Sequence, residues 1–462
     1  MESDGAAVGP RVVTMFSLPS IVQNLDEQIM NDPSFGPEHF AQLVTLQREL
    51  GLLHGDRPTC PFLRPQLLGR KQYESIRTAA ETLARVFEKL VARALENETL
   101  IDELGLTEAE RNLARVDPGY SRVCVSSRLD AYVTDSGFQF LEYNAESPAG
   151  VGDQMQLEKI LLALSHTKQF LREHEHWLPQ PHRQLLRALL GAYRETGGQE
   201  HRPQIAIVDW ENVATRSEFR VLQQFFELEG HPTIIVDPHD LQYDGKRLTA
   251  GDFRIDILYK RVVIHEFLAL FGEDHPMVRA YREGRVCMAN SFRAKMVHKK
   301  ASFAILSDPK YQSMFSPEEL EIVGRHIPWT RSVRRGRTTF SGVECDLIEL
   351  LRRERERFVL KPNDDYGGHG VFIGWEMDAA DWEGAIKISL ERPHVAQERV
   401  PIKKLSIPMF TDRLTLEEMF IDFNPFLFDN QVEGALVRLS PSSLLNVTSG
   451  GGQTALVVLE NM

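Results

Sequence analysis

The stretch Arg128-Leu129-Asp130, followed by Phe140-Leu141-Glu142-Tyr143-Asn144-Ala145-Glu146-Ser147, decides how this chain is read. Residues 122–133 alternate apolar and polar positions. Asp135-Ser136-Gly137 supplies a turn, and residues 138–143 alternate again, which predicts a β-hairpin. Side chains along a strand repeat every second residue. Arg128 and Asp130 therefore share one face, and Glu142 and Asn144 share a face of the partner strand. Pairing the strands sets three oxygen donors beside one guanidinium. Magnesium is a hard cation held through oxygen, commonly by one or two carboxylates plus phosphate oxygens. An arginine offers phosphate a bidentate fork. Taken alone, the stretch fits a surface cluster of ion pairs equally well.

Further along, residues 358–360 read as a strand that delivers Lys361 to the loop Asp364-Asp365-Tyr366-Gly367-Gly368-His369-Gly370. Glycines let backbone N–H groups approach phosphates closely, and a lysine at a strand end adds a point charge. The loop lacks the Gly-Lys-Ser/Thr ending of a P-loop and the glycine spacing of a dinucleotide fingerprint. Ordinary turn glycines are the competing explanation. A third strand, residues 395–400, ends in Gln397-Glu398-Arg399-Val400, which can offer backbone groups to an adenine edge. A fourth segment runs from Glu433 to Arg438 and is followed by the glycine-rich loop 446–453.

Around these motifs the pattern changes along the chain. Residues 72–94 place Ile76, Ala79, Ala80, Leu83, Val86, Leu90 and Val91 at helical spacing, and residues 107–116 open with the capping-box pair Thr107 and Glu110. Helices are expected over 154–174 and 182–196. A strand–helix–strand order over 204–236, with a further strand at 255–259, implies parallel pairing. In the last third, helices are expected over 301–306, 317–323 and 344–355. Strands there are expected at 370–374, 418–423, 432–439 and 455–459.

The 462 residues include 66 acidic and 53 basic side chains, a formal net charge of -13. A general nucleic-acid binder needs a basic face that displaces counterions, so that class is excluded. No run reaches the ~18 apolar residues of a membrane span. Residues 1–9 lack the basic and apolar regions of a signal peptide. Cys60, Cys124, Cys287 and Cys345 stand far apart, without zinc or redox spacing. These features predict a reduced, cytoplasmic protein with no membrane or nucleic-acid partner. They leave its oligomeric state open.

Together the four motifs resemble the ATP-grasp carboxylate–amine ligases, in the circularly permuted branch that includes glutathionylspermidine synthase and eukaryotic glutathione synthetase. The sign of permutation is order: Glu142 and Asn144 precede Lys361, whereas the usual order places the metal motif after the lysine and glycine loop. The resemblance implies a mixed α/β fold in four parts. These are a helical N-terminal region (1–118), a first ATP-grasp part (119–203), an inserted α/β substrate domain (204–289) and a second ATP-grasp part (290–462).

It also implies roles. Asp130, Glu142, Asn144 and Asp365 would bind Mg2+, while Arg128 steadies the transferred phosphate. Lys361 and Lys299, with Lys300 as the alternative to Lys299, would contact ATP beside Gly367 and Gly368. Gln397, Glu398, Arg399 and Val400 would form the adenine hinge. Arg438 would hold a carboxylate or acyl phosphate, and Ser147 and Arg261 would face the substrates. The implied reaction joins a small-molecule carboxylate to an amine through an acyl phosphate. A nucleotide-binding protein without turnover, or a small-molecule phosphotransferase, are the alternatives.

The pattern departs from both relatives at Ala149, which replaces a serine, and from glutathione synthetase at Ser440, which replaces a lysine. No amidase-like stretch accompanies the motifs. A second pattern, Asp422-Phe423-Asn424-Pro425, sits where an unpermuted enzyme carries its metal motif. It has no Arg-x-Asp partner hairpin, so Glu142 and Asn144 are preferred.

Overall fold

The computed structural model describes residues 20–443, 445 and 451–461. The signal-peptide reading of residues 1–9 and most of the 446–453 loop lie outside the described residues. The hairpin forms as expected: Ser126–Thr134 pairs antiparallel with Gly137–Asn144, with Arg128 opposite Asn144 and Asp130 opposite Glu142. A bulge between Asp130 and Ala131 shifts the register. Such a bulge raises local twist and re-aims side chains.

The free edge of Ser126–Thr134 is taken by a strand almost three hundred residues later. Leu414–Phe428 places Phe426 opposite Arg128 and Asp422 opposite Tyr132. Gln431–Ser440 then sets Arg438 opposite Asp422, and Gly452–Thr454 closes that side. Lys404–Phe410, a strand not anticipated from sequence, pairs with the outer half of Leu414–Phe428. Distant stretches thus build one antiparallel sheet, and the motif residues sit on neighbouring strands.

Helix Arg70–Leu95 covers one face of this sheet. Its 3.6-residue stripe of Ile76, Ala80, Leu83, Phe87, Leu90 and Val91 is buried in one core with Leu129, Phe140, Ile421, Phe423 and Val437. Phe87 is the keystone, its ring 4.7 Å from Tyr143 on the hairpin and 5.3 Å from Phe303. Truncating such a buried Phe to Ala costs about 3–5 kcal/mol. The N-terminal region is less purely helical than expected. Leu53–His54, Arg57–Pro58 and Gln66–Gly69 are strands, and the last runs parallel to Leu456–Leu459.

The α/β segment is a four-stranded parallel sheet ordered Cys287–Ala289, Ile257–Lys260, Ile205–Val208, Thr233–Val236. The three strands from Cys287–Ala289 to Ile205–Val208 are buried at every position, as a sheet covered on both faces requires. A smaller antiparallel sheet carries the glycine loop, ordered Thr330–Ser332, His394–Glu398, Phe358–Pro362, Phe372–Ile373. Helices Leu347–Arg353 and Ala379–Glu391 close its core around Trp382, Leu351 and Phe358.

Two helix expectations change. The helix over 154–174 is broken at Leu164, which is extended between Asp153–Ala163 and Ser165–Glu173. No Gly or Pro marks this break. It lets Leu161, Leu164 and Phe170 reach the same core. The helix over 344–355 starts only at Leu347, because Val343–Asp346 pairs with Arg337–Phe340 and Asp346 caps the helix by accepting from the Glu349 N–H. Among the described residues, no helix is long and apolar enough to cross a membrane.

Candidate active site

One cleft of about 590 Å3 runs between the large sheet, the glycine loop and the α/β segment. Arg128, Asp130, Glu142, Asn144, Ser147, Arg261, Lys361, Asp365, Gly367, Gly368 and Arg438 all line it. Asn290, the residue following strand Cys287–Ala289, holds the hairpin in place. Its buried amide accepts from the Val125 and Ser126 N–H groups and donates to the Ser126 and Ala145 carbonyls at 2.5–3.0 Å. Nothing in the sequence around Asn290 signals this role.

At the hairpin, Asp130 is gripped twice. Arg128 donates to both its oxygens at 2.7 and 3.0 Å, and Arg438 donates at 2.8 Å. Burial would raise the Asp130 carboxyl, but the two guanidinium groups outweigh it and hold it at about 2. Arg128 also donates to the Ala149 carbonyl at 2.7 Å. Arg438 is fixed by Asp422, the residue of the second motif, which is fully buried. Asn424 in turn donates to Asp422 at 2.7 Å and accepts from the Ala131 N–H. Burial pushes Asp422 up to about 6 even against Arg438. The Asp422 pattern therefore braces Arg438 from behind and does not line the cleft.

Glu142 and Asn144 are different. Among the described residues neither side chain makes a hydrogen bond, and the nearest cation to Glu142 is Lys300 Nζ at 4.0 Å. Two half-buried oxygen donors left uncommitted beside an ionised Asp130 fit a hard cation such as Mg2+. Glu146, His298 and Asp364 form a second candidate ligand group. There, Lys295 already neutralises Glu146 at 2.7 Å and Asp364 at 2.6 Å, and Lys299 takes Asp364 at 2.7 Å. Ammonium groups occupy the place a metal would need.

The lysines separate along the same line. Lys299, the expected ATP contact, is buried between Glu110 at 2.9 Å and Asp364 at 2.7 Å and does not line the cleft. Lys300 does, donating to the Asp365 carbonyl at 2.7 Å. Lys361 enters from the small sheet and donates to Gln397 at 2.7 Å. Burial is the main reason its ammonium is depressed to about 8; Lys300 adds to this and Glu142 opposes it. Gln397 thus positions Lys361, and it reaches back to Thr330 at 3.2 Å and the Leu141 carbonyl at 3.4 Å. The remaining hinge residues lie elsewhere. Glu398 and Arg399 border a separate hollow of about 520 Å3 with Ile327, Pro328 and Trp329, and Val400 is buried near it. Glu398 accepts from Arg357 at 2.7 Å, and Arg399 stacks 4.2 Å over Trp375.

The glycine loop is exposed, and Gly367 and Gly368 have φ of 68° and 81°, where only glycine is unstrained. Its tip is tied to the α/β segment by Tyr366, which donates to Glu266 at 2.7 Å. At the far end of the cleft Arg261 donates to the Pro148 carbonyl at 2.5 Å and packs over Phe219 and Tyr259. Glu218 stands 3.9 Å from it and accepts from the Gly150 N–H. Burial and Glu218 push the neighbouring Asp153 up to about 7. Asp153 and Glu218 were not singled out from sequence, where nothing distinguishes them from other helical carboxylates.

No protein-family model matches the chain. Among curated proteins it is similar to a putative glutamate–cysteine ligase 2-2 of Frankia casuarinae, 26% identical over 234 residues, covering 47% of this chain and 25% of that protein. A putative glutamate–cysteine ligase 2-3 of Frankia alni is 25% identical over 237 residues, covering 48% and 25%. The matched stretch spans about a quarter of those relatives' length. Among solved structures, a glutathione synthetase-like effector from Globodera pallida, in apo form, aligns over 96% of this chain and 98% of that one, with a TM-score of 0.56 at 12% identity. The chain has the mixed α/β fold of that glutathione synthetase-like protein.

Proposed function

We propose that this chain is an ATP-dependent ligase that joins a small-molecule carboxylate to an amine through an acyl phosphate. The observation that carries the reading is the meeting of Asp130, Glu142, Asn144, Asp365, Lys300 and Lys361 around one cleft under a glycine loop. Two ammonium groups and two guanidinium groups face uncommitted oxygen donors there. Transfer of a phosphoryl group to a carboxylate needs that balance, because two anions must meet.

In this reading Lys300 and Lys361 hold the ATP phosphates, and the Gly367–Gly368 backbone covers them. Mg2+, held by Glu142 and Asn144 with Asp130 and Asp365, would supply charge neutralisation at the transferred phosphate. Arg128 and Arg438, both locked by Asp130, present fixed positive charge to the donor carboxylate and the acyl phosphate it becomes. The donor oxygen attacks the γ-phosphorus and ADP leaves. The amine then attacks the acyl carbon and phosphate departs. Tyr366 and the loop keep water from the acyl phosphate.

The relatives named glutamate–cysteine ligases make L-glutamate and L-cysteine the first pair to try. The test is a phosphate-release screen with Mg-ATP over carboxylate and amine pairs, with products read by mass spectrometry. Phosphate together with an amide is expected. A phosphorylated product without an amide would replace the ligase with a phosphotransferase, and ATP binding without turnover would leave a nucleotide-binding protein.

A further inference from the structure

Step two of that reaction needs a proton acceptor, because an amine is mostly an ammonium ion near neutral pH. Resting on the ligase reading, we infer that His298 is this acceptor. His298 ends the short helix Lys295–His298, lines the cleft, and is 7% exposed. Its Nε2 faces the Glu146 carboxylate at 3.7 Å. Its Nδ1 is buried and has no hydrogen-bond partner among the described residues. Buried polar atoms are nearly always paired, and Nδ1 joins Arg261 Nε and Gln453 Oε1 among the unpaired buried atoms of residues lining this cleft, which suits it to receive polar ligand atoms.

The arrangement around the ring has the order of a base and its orienting carboxylate. Glu146 is itself immobile, paired with Lys295 at 2.7 Å and accepting from the Ile264 N–H at 2.7 Å. A carboxylate on the Nε2 side keeps a proton there, leaving the Nδ1 lone pair free, and stabilises the imidazolium once it forms. The apo spacing is longer than a hydrogen bond, as is common before substrate tightens such a pair. Four charged groups act on the ring. Lys295 on its own helix and Lys300 just before helix Ala301–Ser307 favour the neutral form, while Glu146 after the hairpin and Asp364 in the glycine loop favour the cation. Burial is the largest influence, and together they lower its pKa, so the ring is neutral and able to accept. Of the other cleft histidines, His369 is exposed on the glycine loop, 3.9 Å from Asp365.

The step balances as follows. The acceptor ammonium gives one proton to His298 Nδ1. The freed nitrogen lone pair forms the C–N bond to the acyl carbon, and the C–O bond to phosphate breaks. The departing phosphate takes the second N–H proton and leaves as hydrogenphosphate. The imidazolium then returns its proton to solvent.

The test compares wild type with His298→Gln, which cannot accept a proton near neutral pH, on three readouts. The probes are L-glutamate and the other donors of the phosphate-release screen, with L-cysteine and hydroxylamine as acceptors. Scrambling of oxygen label from the β,γ-bridge of ATP reports the first step without any acceptor. It should stay within a few-fold of wild type in the variant. Amide formation with L-cysteine should fall about 100-fold or more, and the acid limb of its pH profile should vanish. Hydroxylamine is already neutral at that pH, so hydroxamate formation should survive within about tenfold, a general base contributing ~10²–10⁴ only where a proton must be taken. Equal losses in scrambling, amide and hydroxamate would reduce His298 to a structural role and overturn the inference while leaving the ligase intact. Unchanged amide formation would overturn it as well. A wild type that neither scrambles label nor releases phosphate with any donor would instead bring down the ligase reading, and this assignment with it.

Discussion

Asp130 and Asp364 invite comparison. Burial raises each carboxyl, and each is nevertheless held below the ordinary carboxylate range by nearby cations. Asp130 is held by Arg128 on its own strand and by Arg438 from beyond the intervening strand Leu414–Phe428, and shares the cleft with the uncommitted Glu142 and Asn144. Asp364 is held by His265, Lys295 and Lys299, and the two lysines also take Glu146 and Glu110. The first is an open arrangement, with charge fixed on one side and donors free on the other. The second has its carboxylates taken by ammonium groups; it roots the glycine loop and fixes Glu146 beside His298. Having a strongly perturbed carboxylate is therefore not what distinguishes a site from a brace; unsatisfied donors beside it are.

The largest test of that contrast is Glu142→Ala. With no hydrogen bond to lose, the variant should keep its thermal unfolding midpoint, while ATP turnover falls by at least about 10²–10³-fold. Near-normal ADP release would remove the open cluster from the chemistry. Next come the adjacent lysines. Lys299→Met should cost stability, about 3–5 kcal/mol by chemical denaturation, because Asp364 and Glu110 lose a buried partner. Lys300→Met should leave stability nearly unchanged and weaken ATP binding by about 10–100-fold in calorimetry, roughly 1.4–2.8 kcal/mol. Swapped outcomes would show that the two clusters exchange roles.

A smaller effect is expected from pH. Lys361 is cationic below about 8 and neutral above it. ATP phosphates favour the cation, so affinity should decline as pH passes that value, with proton uptake on binding. Lys361→Met should bind weakly at every pH and lose this dependence. Persistence of the dependence in the variant would point to another group. Smallest of all is Tyr366→Phe, which removes one exposed contact to Glu266 worth about 1 kcal/mol. Faster proteolysis of the glycine loop with a few-fold change in KM is expected, and an unchanged digestion pattern would rule out the latch.

Much of this was legible from residues. Period-two alternation and the Asp135-Ser136-Gly137 turn made the hairpin readable, and with it the shared faces of Arg128 with Asp130 and Glu142 with Asn144. Lys299 and Lys300 were not separable, since they are the same residue type one position apart. Only Glu110 and Asp364, distant in sequence, decide which is buried. Asp422 looked like a rival metal motif, and its partnership with Arg438 emerges only when two strands align. The break at Leu164 leaves no local mark, because packing against the common core imposes it. His298 carried no spacing signal at all.

The pairing of Ser126–Thr134 with Leu414–Phe428 has a consequence during synthesis. At roughly 5–20 residues per second, the ribosome takes on the order of tens of seconds to deliver the second strand after the first. Throughout that interval the hairpin emerges with one edge unsatisfied and its apolar face only partly covered by Arg70–Leu95. Such an edge is open to pairing with other nascent chains. The residues of the proposed centre are thus assembled last, and the yield of correctly folded protein should depend on chaperone supply more steeply than its final stability implies.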